Sequence, residues 1–495
     1  MKRTAKILAL LLALPLAGLT AGCAVGPDYR RPGLDIPGSY RTEIREAADT
    51  ANTEWWRQFG DPALDAMIDE ALANNRNVRI AAAKVEEASG ILVQTRAPIF
   101  PQASYSGTAE RQRATEYGAT PLSAAIPNPQ TAYQVLAGAS WEIDLWGRIR
   151  RLTESAQANL LATEYARRGV ILSLVASVAS TYLELRGLDE QLRVSKMTRD
   201  AYAATVRLFE LQHRYGVISR MNVEQARSQY ETAASAIPGI ESRIAQTENA
   251  LSVLLGRNPG SIERGKSILE LAMPDIPSGV PSQVLERRPD ILQAEQQLVA
   301  ANARIGAARA LYFPTISLTG AYGQASRDLS DLFKGPARVW SYGGSVTGPI
   351  FAGGAIYGQV VQAEAARKAA LLGYQAAVQG AFGDVENSLV ANRKLVEQLQ
   401  AQERLVRANR EYARLSRLQY DGGYAPYATV LQAEQQLFPS ELNLAQIRAA
   451  AFSSLVAIYQ AMGGGWVVEA ERRTASPGNT GDREKGAGER PGGPR

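Results

Sequence analysis

Four runs of this chain alternate apolar with polar residues, the period of two that sends successive side chains to opposite faces of a strand. Tyr133, Val135, Ala137, Ala139, Trp141 and Ile143 alternate with Gln134, Leu136, Gly138, Ser140, Glu142 and Asp144. Ile316, Leu318, Gly320 and Tyr322 alternate with Thr315, Ser317, Thr319 and Ala321. Trp340, Tyr342, Gly344, Val346 and Ile350 stand against Ser341, Gly343, Ser345 and Thr347. A weaker run sets Ala103, Tyr105, Gly107 and Ala109 against Ser104, Ser106, Thr108 and Glu110. Strands are predicted over about 101–114, 131–144, 314–325 and 338–350. After each pair the period changes. From about 148 to 213 there is no proline, only Gly169 and Gly187 interrupt, and rows such as Leu172, Val175, Ala179 and Leu183 recur at helical spacing. A second such run covers about 355–420, loosened by Gly358, Gly373, Gly380 and Gly383. At about 1.5 Å per residue, each makes a helix on the order of 100 Å long. Shorter helices are predicted over about 64–97, 220–255, 290–311 and 429–462. Helices this long, without sustained leucine heptads, need packing partners along their whole length. Taken alone, the helical runs also fit a coiled-coil rod.

This order of textures occurs twice. Ile99-Phe100-Pro101-Gln102-Ala103-Ser104 returns as Tyr312-Phe313-Pro314-Thr315-Ile316-Ser317, and Leu211-Gln212, Gly216 and Gln225-Ala226 return as Leu418-Gln419, Gly423 and Gln432-Ala433. The repeat is roughly 205 to 215 residues long, far above the period of a solenoid. It divides the chain into halves at 63–270 and 271–466, preceded by a segment 23–62 and followed by a tail 467–495. Two halves with one mechanical job argue against a compact enzyme.

Apolar on one face, polar on the other and aromatic near the ends is how a lipid-facing, water-lined barrel strand reads. The same pattern also fits the edge of a soluble antiparallel sheet. Four strands do not close a barrel, since single-chain barrels begin at about eight. An open edge within lipid would leave N–H and C=O groups unsatisfied. A chain that spans the membrane this way must therefore oligomerise, and three copies of four strands make about twelve, with room for an open lumen. Loops around 117–131 and 326–338 are rich in Pro, Asn, Gly and charge, as exposed loops are. Because each strand pair feeds a long helix, the expected product is a barrel continued by a helical conduit.

The N-terminus changes the picture by supplying an address. Lys2, Arg3 and Lys6 precede an apolar stretch Ile7 to Leu19, and Ala21-Gly22 precede Cys23, the single cysteine. Residues 1–22 read as a signal peptide and Cys23 as a lipidation site, although Thr20 stands where a lipobox has leucine. Ala24 at the second mature position, in place of the inner-membrane-retaining aspartate, favours the outer membrane. No other stretch is read as approaching the ~20 consecutive apolar residues of a transmembrane helix. A net charge of +5 over 495 residues is mild and shows no nucleic-acid patch. The tail, poor in large apolar residues and rich in Gly, Pro and charge, is expected to be disordered.

Several separate motifs resemble one family. Pro281 to Ile291 (Pro-Ser-Gln-Val-Leu-Glu-Arg-Arg-Pro-Asp-Ile), then Ala294-Glu295, Ile305-Gly306-Ala307-Ala308 and Phe313-Pro314, resemble the mid-chain hallmark of TolC-like outer membrane efflux factors. Gly26-Pro27-Asp28-Tyr29-Arg30-Arg31-Pro32 after Cys23 is similar to the lipoprotein subgroup, the OprM/NodT type. Trp55-Trp56, Phe59 to Pro62, Trp141 to Arg148, Leu254-Leu255-Gly256 and Gly463 to Trp466 also fit, so the resemblance runs from Cys23 to Trp466. It implies an α plus transmembrane β fold. A homotrimer would form a twelve-stranded barrel continuous with an α-helical periplasmic barrel, with an equatorial region near the termini and mid-chain. It further implies a passive exit duct for drugs or other small toxic compounds, held in the outer membrane lipid and docked on a periplasmic adaptor and an inner-membrane pump of the RND type. The outer component of type I secretion or of an MFS-type pump remains an alternative, as does a structural coiled-coil surface lipoprotein.

Nothing in the chain reads as catalytic machinery. His213, the sole histidine, has no cysteine partner, and there is no phosphate loop, metal-ligand spacing or nucleophile elbow; no cofactor and no metal are expected. Arg287-Arg288-Pro289-Asp290 reads as a helix start, with proline in the first turn and an acid at the positive end. The resemblance implies a gate where the helices of each half turn back, held by tyrosines, arginines and acids. Those turns match Gln212-His213-Arg214-Tyr215-Gly216 and Gln419-Tyr420-Asp421-Gly422-Gly423-Tyr424. Asp421, with Arg214, Arg417, Tyr215 and Tyr420, is the expected gate. Repeated about an axis, Asp421 would favour cations. Asp421-Gly422-Gly423 is also plain turn chemistry. The second acidic ring of some members is missing because Ala425 stands there, and Pro439 is expected to kink the last helix.

Overall fold

The structure is a computed structural model that describes residues 24–34, 40, 54–115, 117, 127–274, 276, 284, 286–463 and 466–467. The signal segment, Cys23 and the tail beyond 467 lie outside the described residues. Its contacts divide into two compact units, one drawn from Met1–Gly33, Val85–Thr163 and Ala294–Tyr374, the other from Leu34–Lys84, Glu164–Gln293 and Gln375–Arg495.

The first unit holds the sheet. β1 (Gln102–Gln112), β2 (Gln130–Ile143), β3 (Thr315–Ser326) and β4 (Arg338–Thr347) form a four-stranded antiparallel meander in chain order. The register stacks the alternating residues into rows. Tyr105, Ala137, Tyr322 and Trp340 lie in one; Trp141, Leu318 and Gly344 in another; Ile143, Ile316 and Val346 in a third. All three rows share one face, and Ser104, Gly138, Ala321 and Ser341 lie across the other. Within the single chain this apolar face is uncovered: Tyr105 is 92% exposed and Tyr342 82%. β1 and β4 are edges. The sheet ends are pinned by tryptophan. Trp141 donates to the Ile99 carbonyl (2.9 Å), and Trp146 donates to that of Pro314 (2.8 Å) while stacking on Phe313 at 4.6 Å.

The helices are α1 (Pro62–Asn74), α2 (Arg76–Arg96), α3 (Arg148–Arg214), α4 (Arg220–Leu254), α5 (Pro289–Ala310), α6 (Ala355–Asp421) and α7 (Tyr427–Ala461). α3 begins directly after β2 because Asp144 accepts from the Ile149 and Arg150 amides (3.0 and 2.9 Å), satisfying donors that a helix start leaves open. The single helix expected over 64–97 is two helices. Asn75 takes an extended conformation, its Oδ1 accepts from the Asn77 amide (2.8 Å), and its amide donates to the Leu254 carbonyl (2.7 Å). A new N-cap therefore starts α2. Pro439 lies inside α7 and Pro238 inside α4, and neither ends its helix.

Aromatic packing anchors the second unit. Trp55 stacks on Tyr459 at 4.9 Å, Trp56 meets Trp466 edge-on at 4.8 Å, and Phe59 tilts against Phe452 at 6.0 Å, all buried. The Arg288 side chain binds Asp290 (2.7 Å), Asp384 (2.8 Å) and the Ala461 carbonyl (3.0 Å), so the Arg-Pro-Asp run clasps α5 to the long helices as well as starting it. α3 and α7 each carry a stretch long and apolar enough to cross a membrane, with mean hydropathy 1.3 and 1.2, against the sequence expectation of none. In both, 56% of the stretch is buried within the protein, as in core helices of a packed bundle, and the alanine and leucine that pack them also raise the hydropathy.

Candidate functional site

The long helices turn back at two places with one backbone design. α3 ends at Gly216, whose φ is 72°, and the Val217 amide donates to the Gln212 carbonyl at 2.9 Å. α6 ends at Gly423, φ 76°, and the Tyr424 amide donates to the Gln419 carbonyl at 2.8 Å. Each is a six-to-one closure with glycine in the left-handed region, where a Cβ is penalised. The two hairpins pack through a buried cluster of Phe209, Val223, Ala226, Tyr427 and Val430. Phe209 and Tyr427 meet edge-on at 4.6 Å, and Tyr420 leans on both at 6.3 and 5.5 Å. A second cluster of Val194, Tyr202, Ala233 and Phe438 lies on the same helices, farther from the turns.

Among the expected gate residues the structure brings Arg417, Tyr420 and Asp421 together. Arg417 Nε lies 3.5 Å from Asp421 Oδ1, one helical turn on, with 59% of the Asp421 side chain exposed. Tyr420 is half-buried in the aromatic cluster. Arg214 and Tyr215 sit on the other turn, both exposed, Tyr215 by 76%. His213 Nδ1 lies 3.0 Å from the Ile218 carbonyl oxygen and braces that turn.

Glu434 was not among the expected residues. On α7 it falls between Val430 of the first cluster and Phe438 of the second. Its Oε2 is sealed from solvent and has no hydrogen-bond partner. Burial pushes its carboxyl from 4.5 up to about 7, and the Arg417 guanidinium works against that rise. The duplication carried the missing signal: aligned on Leu211/Leu418, position 434 answers Arg227 and position 417 answers Glu210. In the first half that pair is formed, Arg227 to Glu210 at 2.8 Å.

The sheet presents an uncovered apolar face and small residues across the other, and no group of three or more His, Cys, Asp or Glu suited to a metal occurs among the described residues. The family pattern described as outer membrane efflux protein matches residues 67–257 and 280–464, one block in each half. The chain is an outer membrane efflux protein. It is 35% identical over 457 residues to the probable efflux pump outer membrane protein TtgC of Pseudomonas putida, covering 91% of this chain and 94% of that one. It is 33% identical over 473 residues to the cation efflux system protein CusC of Escherichia coli, covering 93% and 99%. Among solved structures, the open state of the Neisseria gonorrhoeae MtrE outer membrane channel matches with a TM-score of 0.82 at 30% identity, covering 90% of this chain and 98% of that one. This efflux protein is thus a transport protein of the outer membrane with the TolC-like channel fold.

Proposed function

We propose that three copies of this chain form the exit duct of a tripartite efflux pump, passing small toxic compounds through a gate at the helix turns without chemistry of its own. The observation that carries the reading is the sheet: four strands with one apolar face uncovered, both edges unpaired, each pair leading into a helix of 67 residues. Three such sheets joined edge to edge make a closed barrel, which lipid demands. A lipid on Cys23 would tether each subunit beside it, and the helix turns would meet a periplasmic adaptor and an inner-membrane RND-type pump. The segment 23–62 and the halves 63–270 and 271–466 serve here as an equatorial belt and two duct walls. At the gate, Arg417, Tyr420 and Asp421 would hold one turn of each subunit, while Arg214 and Tyr215 present a cation and a phenol from the other. TtgC and CusC name different pumps, so cargo choice is assigned to the pump and not to this duct. Single-channel conductance in planar bilayers tests the reading. Wild type should show small currents and Asp421→Ala clearly larger ones; correctly inserted trimers without any channel would sink it.

A further inference from the structure

The second turn has an ion pair that its own repeat shows in another arrangement. In the first half, α3 and α4 are bridged by Glu210 and Arg227. In the second half the signs are exchanged, with Arg417 on α6 and Glu434 on α7, but the bridge is not made. Arg417 instead turns along its own helix to Asp421, whose counterpart in the first half is Arg214. Glu434 is left with a sealed oxygen and no donor, a costly state for a carboxylate.

We propose that Glu434 is a positioning residue for the gate: transfer of Arg417 from Asp421, its partner here, to Glu434 unlatches the turn. The helix backbone already permits the second arrangement, since the first half holds it at the equivalent positions. What selects between them is the charge on Glu434. Protonated, it offers Arg417 no counter-charge, and the guanidinium stays on Asp421. Ionised, it is a half-buried anion with one sealed oxygen, whose desolvation is relieved by drawing Arg417 inward. The proton leaves to periplasmic water and no other group need change. The neighbours facing Glu434 do not confuse the switch. Tyr202 from α3 and Tyr427 on α7 are both pushed up by burial with the Glu434 charge adding to it, and Arg417 acts on Glu434 from α6; Tyr420 on α6 and Tyr230 on α4 pack in the clusters on either side. Glu441, farther along α7, is already bound by Arg410 at 2.7 Å. Burial places the Glu434 transition near pH 7, so periplasmic acidification latches the turn.

The inference rests on the gate proposed above, and the experiment separates the two. Conductance of the trimer is measured from pH 5.5 to 8.5 for wild type, Glu434→Gln, Asp421→Ala and, because the chain has one histidine on the other turn, His213→Gln. Wild type and His213→Gln should rise several-fold through a midpoint near pH 7, the ionised-to-neutral ratio changing about tenfold per pH unit. Glu434→Gln should stay at the acid level, and Asp421→Ala should be high throughout. A Glu434→Gln channel that keeps the wild-type step overturns the proposal while leaving the gate standing. Should Asp421→Ala not raise conductance, the gate itself fails, and structures of the trimer at both pH extremes then decide the transfer alone. They should show Arg417 within about 4 Å of Glu434 at pH 8.5 and on Asp421 at pH 5.5; Arg417 on Asp421 at both refutes it.

Discussion

The two helix turns share a backbone and differ in nearly every side chain that points away from it. His213, Arg214 and Tyr215 stand where Tyr420, Asp421 and Gly422 stand in the other half, yet Gly216 and Gly423 have φ within a few degrees and the same closing hydrogen bond. Duplication therefore preserved what the helix end needs, a left-handed residue and satisfied carbonyls. It released what the surface carries. One turn is cationic and aromatic, braced by His213 on a carbonyl. The other is acidic, tied to Arg417 and half-submerged through Tyr420. A gate assigned to both turns alike would miss this division.

The division can be broken at several strengths. Charge removal should act most strongly and unequally: Asp421→Ala should raise single-channel current several-fold, and Arg214→Ala should do so far less, because Arg214 holds no counterpart of the Arg417 latch. Equal effects would show that the two turns contribute alike. Next comes pH-dependent stability. Burial raises the folded Glu434 from 4.5 to about 7, so between those values the folded protein keeps a proton that the unfolded chain has released, and stability falls as pH rises through this window. Glu434→Gln removes that penalty and should stabilise the protein by at most about 3 kcal/mol at pH 8 and by almost nothing at pH 4, read from thermal unfolding in detergent. The shared backbone gives a smaller, symmetrical effect, since alanine at Gly216 or Gly423 should each cost about 1 kcal/mol for left-handed strain. A cost at one turn only would mean that the other backbone can relax. The least effect belongs to Arg227→Gln, which breaks an exposed pair worth about 0.5 kcal/mol and should leave the conductance unchanged.

Much of the fold was legible because it is written in periods. The rows of β2 and β3 followed from alternation alone, since a face that meets lipid tolerates few exceptions. The break at Asn75 was not, because helical spacing continues across it and only the side-chain bonds to Asn77 and Leu254 reveal a cap. The apolar stretch of α3 was misjudged in the opposite sense. Alanine, leucine and valine scattered at helix-packing positions do not look like a continuous run but average to one. At the candidate site Arg417 and Asp421 were named by the resemblance of the turn motif, and the structure sets them 3.5 Å apart, whereas nothing in the sequence reading singled out Glu434. It lies between clusters built by residues distant in sequence, such as Phe209 and Tyr202, and aligning the halves exposes its exchanged charge.

The unpaired edges of β1 and β4 carry a genetic consequence. Every subunit lends its edges to two neighbours, so a chain with a spoiled edge strand damages the assemblies it enters, not only its own share. In a cell making sound and spoiled chains equally, about one assembly in eight escapes with three sound members. Edge mutations in this chain should therefore be dominant over a wild-type copy. Alleles that merely lower the amount of protein should be recessive.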